Sequence, residues 1–369
     1  MAHVVARPAR ALVVGLMLAA IASLAAPSPA PAVKKSFFGV QDWEPPSPEE
    51  FVELGRMGVG RVRLTFGWNQ HEYTQGDRRW GYGDDMAYRA AVGGVDLLPV
   101  LDGMPPFAAA DPHDPPMTPE ARAGFADYIR DAVARYGRGG SFWKENRHLP
   151  YRPIKSWQVW NEPNFPAYWL DKPNAKQYVS LLALAARAIR SSDPKAEVVM
   201  AGIPETRAPL GIPATPYLKQ LYRVRGARRH FDVLAINPYA GGPSGVMGAV
   251  IRTRRTMKRN GDGRKPLLIT EFGWATGGRV SSRTERFKTS LRGQARKLKR
   301  TYRALLKNRR RYRIRGASWF SLMDRPRRPD ESDWWGIHSG LKLVDGREKP
   351  AWSAFARITR RNQARNRQG

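Results

Sequence analysis

Short runs of β-branched and apolar residues alternate along the chain with longer stretches in which apolar residues recur every three or four positions. The first pattern is typical of buried strands, and the second is typical of helices with one face in the core. Repeated strand–helix units predict an α/β fold with a parallel sheet. The eight predicted strands are Phe38–Asp42, Arg61–Phe66, Val95–Leu101, Lys155–Asn161, Glu197–Ala201, Phe231–Asn237, Leu267–Glu271 and Arg315–Leu322.

The helical stretches carry start and stop signals. Thr118 precedes Pro119, which predicts a capped helix with proline at its first position. Apolar residues then keep helical spacing until Gly137, which predicts the end of this helix. Similar stripes begin at Tyr178 and Phe287.

Eight such units predict a TIM (β/α)8 barrel with its active site at the carboxyl ends of the strands. The alternative is an open, doubly wound sheet, which would need a glycine-rich phosphate turn after its first strand. The sequence there reads Gly39-Val-Gln-Asp-Trp43 and contains no such turn. We expect residues 36–358 to form a single catalytic domain, followed by a basic C-terminal tail of residues 359–369.

The N-terminus has the pattern of a targeting segment. Arg7 and Arg10 precede an uncharged run of 16 residues, Ala11–Ala26, and small residues and prolines follow. This is typical of a secretory signal peptide, and the run is shorter than the roughly 20 apolar residues that span a bilayer. We expect residues 1–32 to be a signal peptide and leader of a secreted, extracellular protein. The alternative is an uncleaved N-terminal anchor.

Composition excludes several kinds of chemistry. The 369 residues include no cysteine, which excludes a disulfide framework, a thiolate nucleophile and a cysteine metal site. The six histidines show no HxxH or HExxH spacing. We therefore expect neither a metal site nor another cofactor.

The formal charge of +31 is concentrated late in the chain. Residues 279–315 hold 16 Lys or Arg and one acid, and residues 357–367 hold five Arg and no acid. Such asymmetry permits binding to polyanions such as nucleic acid, acidic glycans or an anionic cell-surface polymer, and the alternative is a solvated helix face. No nucleic-acid-binding motif is present. Helical spacing would pack Leu291, Leu298, Tyr302 and Leu305 on the barrel. It would turn toward solvent or the helix flanks the cations Arg292, Lys297, Lys299, Arg300 and Arg303.

Two glutamates stand at the ends of predicted strands, inside aromatic sequence. Glu162 lies in Trp157-Gln-Val-Trp-Asn-Glu-Pro-Asn164, and Glu271 lies in Leu267-Leu-Ile-Thr-Glu-Phe-Gly-Trp274. They are 109 residues apart, about three strand–helix units, which places them on the fourth and seventh strands, facing each other across the barrel mouth. Glycosidic cleavage needs two such carboxyl groups, one protonated and one ionised. Either glutamate alone is equally explained by a structural ion pair.

Trp160-Asn-Glu-Pro-Asn164 and Thr270-Glu-Phe-Gly273 resemble the paired signatures of the clan A glycoside hydrolases. These (β/α)8 retaining enzymes include cellulases, mannanases, xylosidases and iduronidases, and the resemblance covers nearly all of residues 36–358. It implies a glycosidase that cleaves O-glycosidic bonds of an oligosaccharide or polysaccharide through a covalent glycosyl-enzyme intermediate. It also implies that Glu162 is the acid/base and Glu271 the nucleophile. We expect a monomer.

The resemblance extends to four further residues. Asn161 would donate a hydrogen bond to the sugar 2-hydroxyl, Arg63 would support the nucleophile and Tyr239 would donate to it. Trp319 would form the floor of the subsite beside the scissile bond, with a cis peptide bond to the next residue. The chain departs from the pattern at Asn237, where many clan members have histidine.

Two alternatives come from other classes of protein. A non-catalytic glycan-binding barrel would keep the tryptophans and lose one glutamate, and both glutamates are present. A basic polyanion-binding protein at the cell surface would use residues 279–315. Several tryptophans stand near the ends of predicted strands, where they would either stack on sugar rings or pack in the core. They are Trp43, Trp68, Trp274, Trp319, Trp334 and Trp335.

Overall fold

The structure is a computed structural model that describes residues 1–3, 33–170, 172–206 and 210–368. The expected signal peptide lies almost entirely outside the described residues. In the described part of the chain, no helix is both long enough and apolar enough to cross a membrane.

One curled, parallel sheet contains a strand at each of the eight predicted positions. The described residues form β1 Phe38–Gln41, β2 Arg61–Gly67, β3 Asp96–Asp102, β4 Ser156–Val159, β5 Glu197–Met200, β6 Ile203–Pro204, β7 Leu234–Asn237, β8 Leu267–Phe272 and β9 Ile314–Phe320. Their order is β5-β4-β3-β2-β1-β9-β8-β7-β6. The unpredicted strand, β6, has two residues and follows β5 after a two-residue break. The sheet is of the TIM-barrel type, as expected, and its parallel strands place all their carboxyl ends at one edge.

Helices connect successive strands. They are α1 Pro48–Met57, α2 Trp68–His71, α3 Gly81–Gly93, α4 Pro119–Tyr136, α5 Ser141–Glu145, α6 Ala175–Ser192, α7 Ala214–Arg223, α8 Pro243–Arg259, α9 Leu291–Asn308 and α10 Pro350–Gln368. The signals read for α4 are confirmed: the Thr118 side chain accepts from the Ala121 N–H, Pro119 is the first helical residue, and the helix ends before Gly137.

Two apolar layers fix the position of the strands. The large outer layer lies between the sheet and the helices, where Phe38 of β1 contacts both Tyr302 of α9 and Phe355 of α10. A small inner cluster contains Leu98 of β3 and Leu268 of β8, which are not neighbours in the sheet order. Residues from distant strands therefore share one cluster on the concave side of the sheet.

The last helix continues through the boundary expected between catalytic domain and tail. Thr359 is buried, and its hydroxyl donates to the Met57 carbonyl at 2.6 Å. The Asn362 amide donates to the Val33 carbonyl at 2.7 Å. Residues 359–362 are therefore packed on the domain rather than separate from it.

Helix α9 contributes to the core on one side and is basic on the other. Ala295, Leu298, Tyr302 and Leu305 are buried, whereas Leu291, which we expected to pack, is 44% exposed. Lys297 and Lys299 are half-buried, as expected for the helix flanks, and Lys297 Nζ lies 5.4 Å from the centre of the Trp274 ring. The exposed cations are Arg292, Arg296, Arg300, Arg303 and Lys307.

Replacing Arg292, Arg300 and Arg303 by glutamine should weaken binding to heparin and reduce its salt dependence. Helix α9 has no acidic residue to offset these charges, so each one adds to a single positive face. The free energy of unfolding should change by less than about 0.5 kcal/mol per substitution, because these arginines are exposed. Salt elution from heparin and urea unfolding measure the two effects.

A matched control removes the same charge elsewhere. Arg79, Arg130 and Arg347 each form an exposed ion pair with a nearby aspartate. The glutamine triple variant at these sites should elute closer to the unchanged protein. Equal shifts in the two triple variants would mean that net charge, and not the α9 face, determines binding.

Candidate active site

A buried arginine links the ends of three strands. Arg63 of β2 is 1% exposed. It donates from Nη1 to Glu271 Oε1 at 2.5 Å, from Nε to Gln158 Oε1 at 2.6 Å and from Nη2 to Asn161 Oδ1 at 2.9 Å. All three guanidinium nitrogens are therefore used to join β2 to β4 and β8.

Glu271 is held by donors on both carboxylate oxygens. Besides the Arg63 bond to Oε1, the Tyr239 hydroxyl donates to Oε2 at 2.8 Å. Burial and the neighbouring carboxylates raise the pKa of Tyr239 well above its ordinary value, so the phenol keeps its proton as a donor. A cation and a neutral donor thus stabilise Glu271 as a carboxylate, although it is only 6% exposed.

Glu162 stands on an unusual backbone turn after β4. Trp160 and Glu162 have φ angles of 69° and 44°, in the left-handed region that costs a non-glycine residue about 1–3 kcal/mol. The surroundings enforce the turn: Trp160 N donates to the Leu101 carbonyl at 3.0 Å, and its indole Nε1 donates to the Tyr168 carbonyl at 2.7 Å. Strain of this kind is concentrated at functional sites.

The environment of Glu162 favours its protonated form. Burial, and then the charge of Glu271, raise the pKa of Glu162 to about 8, against the lowering effects of Asn237 and Arg63. Asn237 Nδ2 donates to Glu162 Oε1 at 2.7 Å, while its own Oδ1 accepts from the Thr270 hydroxyl at 2.7 Å. Thr270 therefore orients the amide so that its NH2 group faces Glu162. The cleft thus holds one carboxyl group beside a cation and another that retains its proton near neutral pH.

The structure brings five of the six predicted site residues together: Glu162, Glu271, Arg63, Asn161 and Tyr239. Asn161 Oδ1 accepts from Arg63, which leaves the amide Nδ2 to donate to a ligand. A groove beside Arg63 is also lined by Asp42, Trp43, Gln70 and Tyr82.

Trp319 does not lie at the cleft, contrary to our expectation. Its side chain is 0% exposed, packs against Phe272 and Trp274, and donates from Nε1 to the Ser339 carbonyl at 3.1 Å. An indole with no accessible surface cannot stack on a sugar ring.

The neighbouring Phe320, rather than Trp319, lies beside Tyr239 of the cleft. Successive side chains of a strand point to opposite faces, and the ring of Phe320 lies 6.2 Å from that of Tyr239. The cis peptide bond is likewise one position later than predicted, between Phe320 and Ser321. The expected residue was therefore wrong by one position in the strand.

Two further residues of the cleft were not predicted. Asp102 ends β3, the same strand-end signal that selected Glu162 and Glu271, and burial raises the pKa of Asp102 to about 7. Tyr168 lies in the loop after β4, where no sequence signal marks it. Burial raises the pKa of the Tyr168 phenol, and the nearby carboxyl groups of Glu162, Glu271 and Asp102 raise it further.

Neither a protein-family model nor a curated protein matches the chain. Solved structures do match, among them a family 39 glycoside hydrolase from Bacteroides cellulosilyticus WH2, with 21% identity and a TM-score of 0.64. A monomeric β-xylosidase from Caulobacter crescentus CB15 has 18% identity and a TM-score of 0.62. The GH53 catalytic domain from Ignisphaera aggregans has 20% identity and a TM-score of 0.57.

The three matches cover 89% of this chain, and the shares of their own lengths are 64%, 69% and 98%, in the same order. This chain therefore spans slightly less than two thirds of the family 39 protein. At these identities the likeness concerns the fold. The resemblance to clan A glycoside hydrolases is confirmed at that level.

Arg63→Met should lower the free energy of unfolding by about 3–5 kcal/mol, because it leaves Glu271 buried without its cation. Glu271→Gln removes the uncompensated charge, so the double variant should recover part of the loss. Urea unfolding of the two single variants and the double variant measures this coupling.

Arg252→Met is the control, because it breaks an ion pair with Glu205 in which Arg252 is 50% exposed. That change should cost no more than about 1 kcal/mol. An Arg63 variant as stable as the Arg252 variant would contradict the structural role of the buried pair.

Proposed function

We propose that the chain is a retaining glycoside hydrolase that uses Glu162 as acid/base and Glu271 as nucleophile. The observation that carries the proposal is the contrast between the two carboxyl groups: Glu271 is bound by Arg63, while burial and repulsion keep Glu162 protonated. Proteins of similar fold include a β-xylosidase, a glucosidase, an exo-β-1,4-mannosidase and a β-galactosidase. Their chemistry favours a glycan substrate here.

In the first step, a Glu271 carboxylate oxygen attacks the anomeric carbon as Glu162 transfers its proton to the departing glycosidic oxygen. The bond between carbon and leaving oxygen breaks, and a glycosyl ester of Glu271 forms. The proton prevents the leaving group from departing as an alkoxide. Asn161 Nδ2 would donate to the sugar 2-hydroxyl during this step.

The second step depends on the loss of charge at Glu271. The ester is neutral, so the repulsion that raised the pKa of Glu162 disappears, and Glu162 now acts as a base toward water. Hydroxide character develops on that water as it attacks the anomeric carbon and releases Glu271. Glu162 ends the cycle protonated again.

We also propose that the sheet closes as a complete (β/α)8 barrel, with β5 and β6 as the two halves of one strand. Val199 of β5 forms a parallel bridge with Val233, directly before β7, and β6 pairs with β7. Between the halves, a side chain at Gly202 would collide with Asn237 and Thr270. Glycine at this position lets the interrupted strand approach the residues that position Glu162.

Secretion and a monomeric state remain part of the proposal, with the basic face of α9 as a means of holding the enzyme on an anionic cell-surface polymer. The non-catalytic binding protein is disfavoured, because two facing carboxyl groups with opposed environments serve cleavage and are costly to bury for binding alone.

Replacing each glutamate should separate the two roles. Glu271→Ala should abolish turnover. Added azide should restore turnover, and the product should be a glycosyl azide of inverted configuration. Glu162→Ala should slow substrates with poor leaving groups by about 10²–10⁴-fold and spare those whose leaving group needs no proton. Steady-state kinetics on a series of aryl glycosides, with NMR of the azide product, measures both effects.

The exposed Glu145, at the end of α5, provides the control, and Glu145→Ala should behave like the unchanged enzyme. If both active-site variants lose activity equally on every leaving group, the division of roles is wrong.

Activity on poor leaving groups should fall as the pH rises through the pKa of Glu162, because only the protonated acid can assist departure. Asn237→Ala removes a donor that stabilises the ionised carboxylate, so the pKa of Glu162 should rise. The alkaline limb of kcat/KM should then move to higher pH. Leaving groups that need no proton should show no such limb. A limb that stays in place or moves to lower pH would contradict this role of Asn237.

A further inference from the structure

Asp102 stands at the same edge of the sheet as the two glutamates, on a rigid part of the backbone. It is the last residue of β3, in register with Gly67 of β2, and the preceding Leu101 pairs with Val159 of β4. Gly103 follows with a φ of +66°, and a side chain there would collide with Asn69 and the Gly67 backbone. The backbone therefore fixes where the Asp102 carboxyl group lies.

One oxygen of this carboxyl group is buried without a hydrogen bond. Among the described residues, no donor reaches Asp102 Oδ1. The buried Asp324 has the opposite arrangement, since it accepts from Lys349 Nζ at 2.7 Å and from the Gly340 N–H at 2.8 Å. An unsatisfied buried acceptor costs about 1–3 kcal/mol, and its presence in a folded protein calls for an explanation such as a missing ligand.

The surroundings of Asp102 are those of the catalytic cleft. Arg63 lies close enough to oppose the rise in its pKa, and the Tyr168 phenol lies within the field of Asp102, Glu162 and Glu271 together. Alternate side chains of a strand share a face, so Asp102 lies on the same concave side of the sheet as Leu98 of the inner cluster, and it is partly exposed there.

The same surroundings are unfavourable for an acidic sugar. Across the described residues, Arg63 is the cation that acts on Asp102 and on Glu162, and its Nη1 is already bound to Glu271. A sugar carboxylate near Asp102 would be repelled by that carboxyl group, and the nearby Arg63 is already bound to Glu271. A sugar hydroxyl would instead donate to the Asp102 carboxyl group, which is partly exposed although its Oδ1 is buried.

We propose that Asp102 accepts a hydrogen bond from a hydroxyl of the sugar held between Glu162 and Glu271, and that it selects uncharged glycosides over uronosides and over sugars that lack this hydroxyl. This inference rests on the proposed function and adds the substrate class to it. Asp102 acts through its ionised form, which offers acceptors only, and the donated bond favours that form.

The test combines protein variants with altered substrates. On the best aryl glycoside, Asp102→Asn should lower kcat/KM by about 10- to 100-fold, the range expected for a lost hydrogen bond to a charged group. For the unchanged enzyme, one monodeoxy derivative of that glycoside should show a similarly reduced kcat/KM. On that derivative, Asp102→Asn should lower kcat/KM little further. The matching glucuronide should be a poor substrate, and the variant should discriminate against it less.

Asp96→Asn is the matched control, because Asp96 begins the same strand at the opposite edge and pairs with Arg152 at the surface. It should leave the kinetics unchanged. Asp102→Ala, which buries no amide, is the second variant if Asp102→Asn folds poorly, and thermal unfolding checks both. The inference would be overturned if the Asp102 variants kept the substrate preferences of the unchanged enzyme, with the same loss of kcat/KM on every monodeoxy derivative. The proposed hydrolase function would not be affected by that result.

Calorimetric binding of the same glycosides separates this inference from the proposed function. If no glycoside is cleaved but uncharged ones bind and Asp102→Asn weakens that binding selectively, the hydrolase proposal fails and the role of Asp102 holds. If the unchanged protein neither cleaves nor binds any glycoside of the series, both fail.

Discussion

The guanidinium of Arg63 is the group on which the rest of the site depends. It lies in a region from which water is almost excluded, where a charge is stable only if its donors are satisfied. Its three bonds go to Glu271, Gln158 and Asn161, so one side chain fixes the relative position of three strands. The interaction that stabilises the interior of the curled sheet is thus the one that orients a carboxylate toward the cleft.

This single cation also makes two chemically equal side chains different. Glu271 is in direct contact with the guanidinium, whereas the donor that Glu162 has among the described residues is the amide of Asn237. Burial, and then repulsion by Glu271, raise the pKa of Glu162 and leave the proton on that residue. The strained turn at Trp160 and Glu162 is held by backbone and indole hydrogen bonds, which keep this second carboxyl group in the buried position that raises its pKa.

The site could be predicted in part. Glu162, Glu271 and Asp102 each follow a buried strand, so a strand-end carboxyl group was the useful signal, and applying it to every strand would have included Asp102. Trp319 and Phe320 show the limit of predicting site residues from their position at the end of a strand. Both are aromatic and adjacent, and the sequence contains no information on which one faces the cleft, because that depends on the register of β9 against β1 and β8. Tyr168 lies in a loop without periodicity, so only the fold brings it near the carboxyl groups.

The sequence by itself determined the order and type of the elements, because the local physics of strands and helices is recorded in neighbouring residues. Buried parallel strands read as apolar runs, and Thr118, Pro119 and Gly137 delimit their helix through contacts a few residues long. Only the tertiary structure decided which groups meet. Arg63 and Glu271 are 208 residues apart, and Arg63 and Gln158 are 95 apart, so their contacts exist only when the sheet curls. The protonation of Glu162 follows from those contacts, since a pKa is set by burial and by charges in space rather than along the chain.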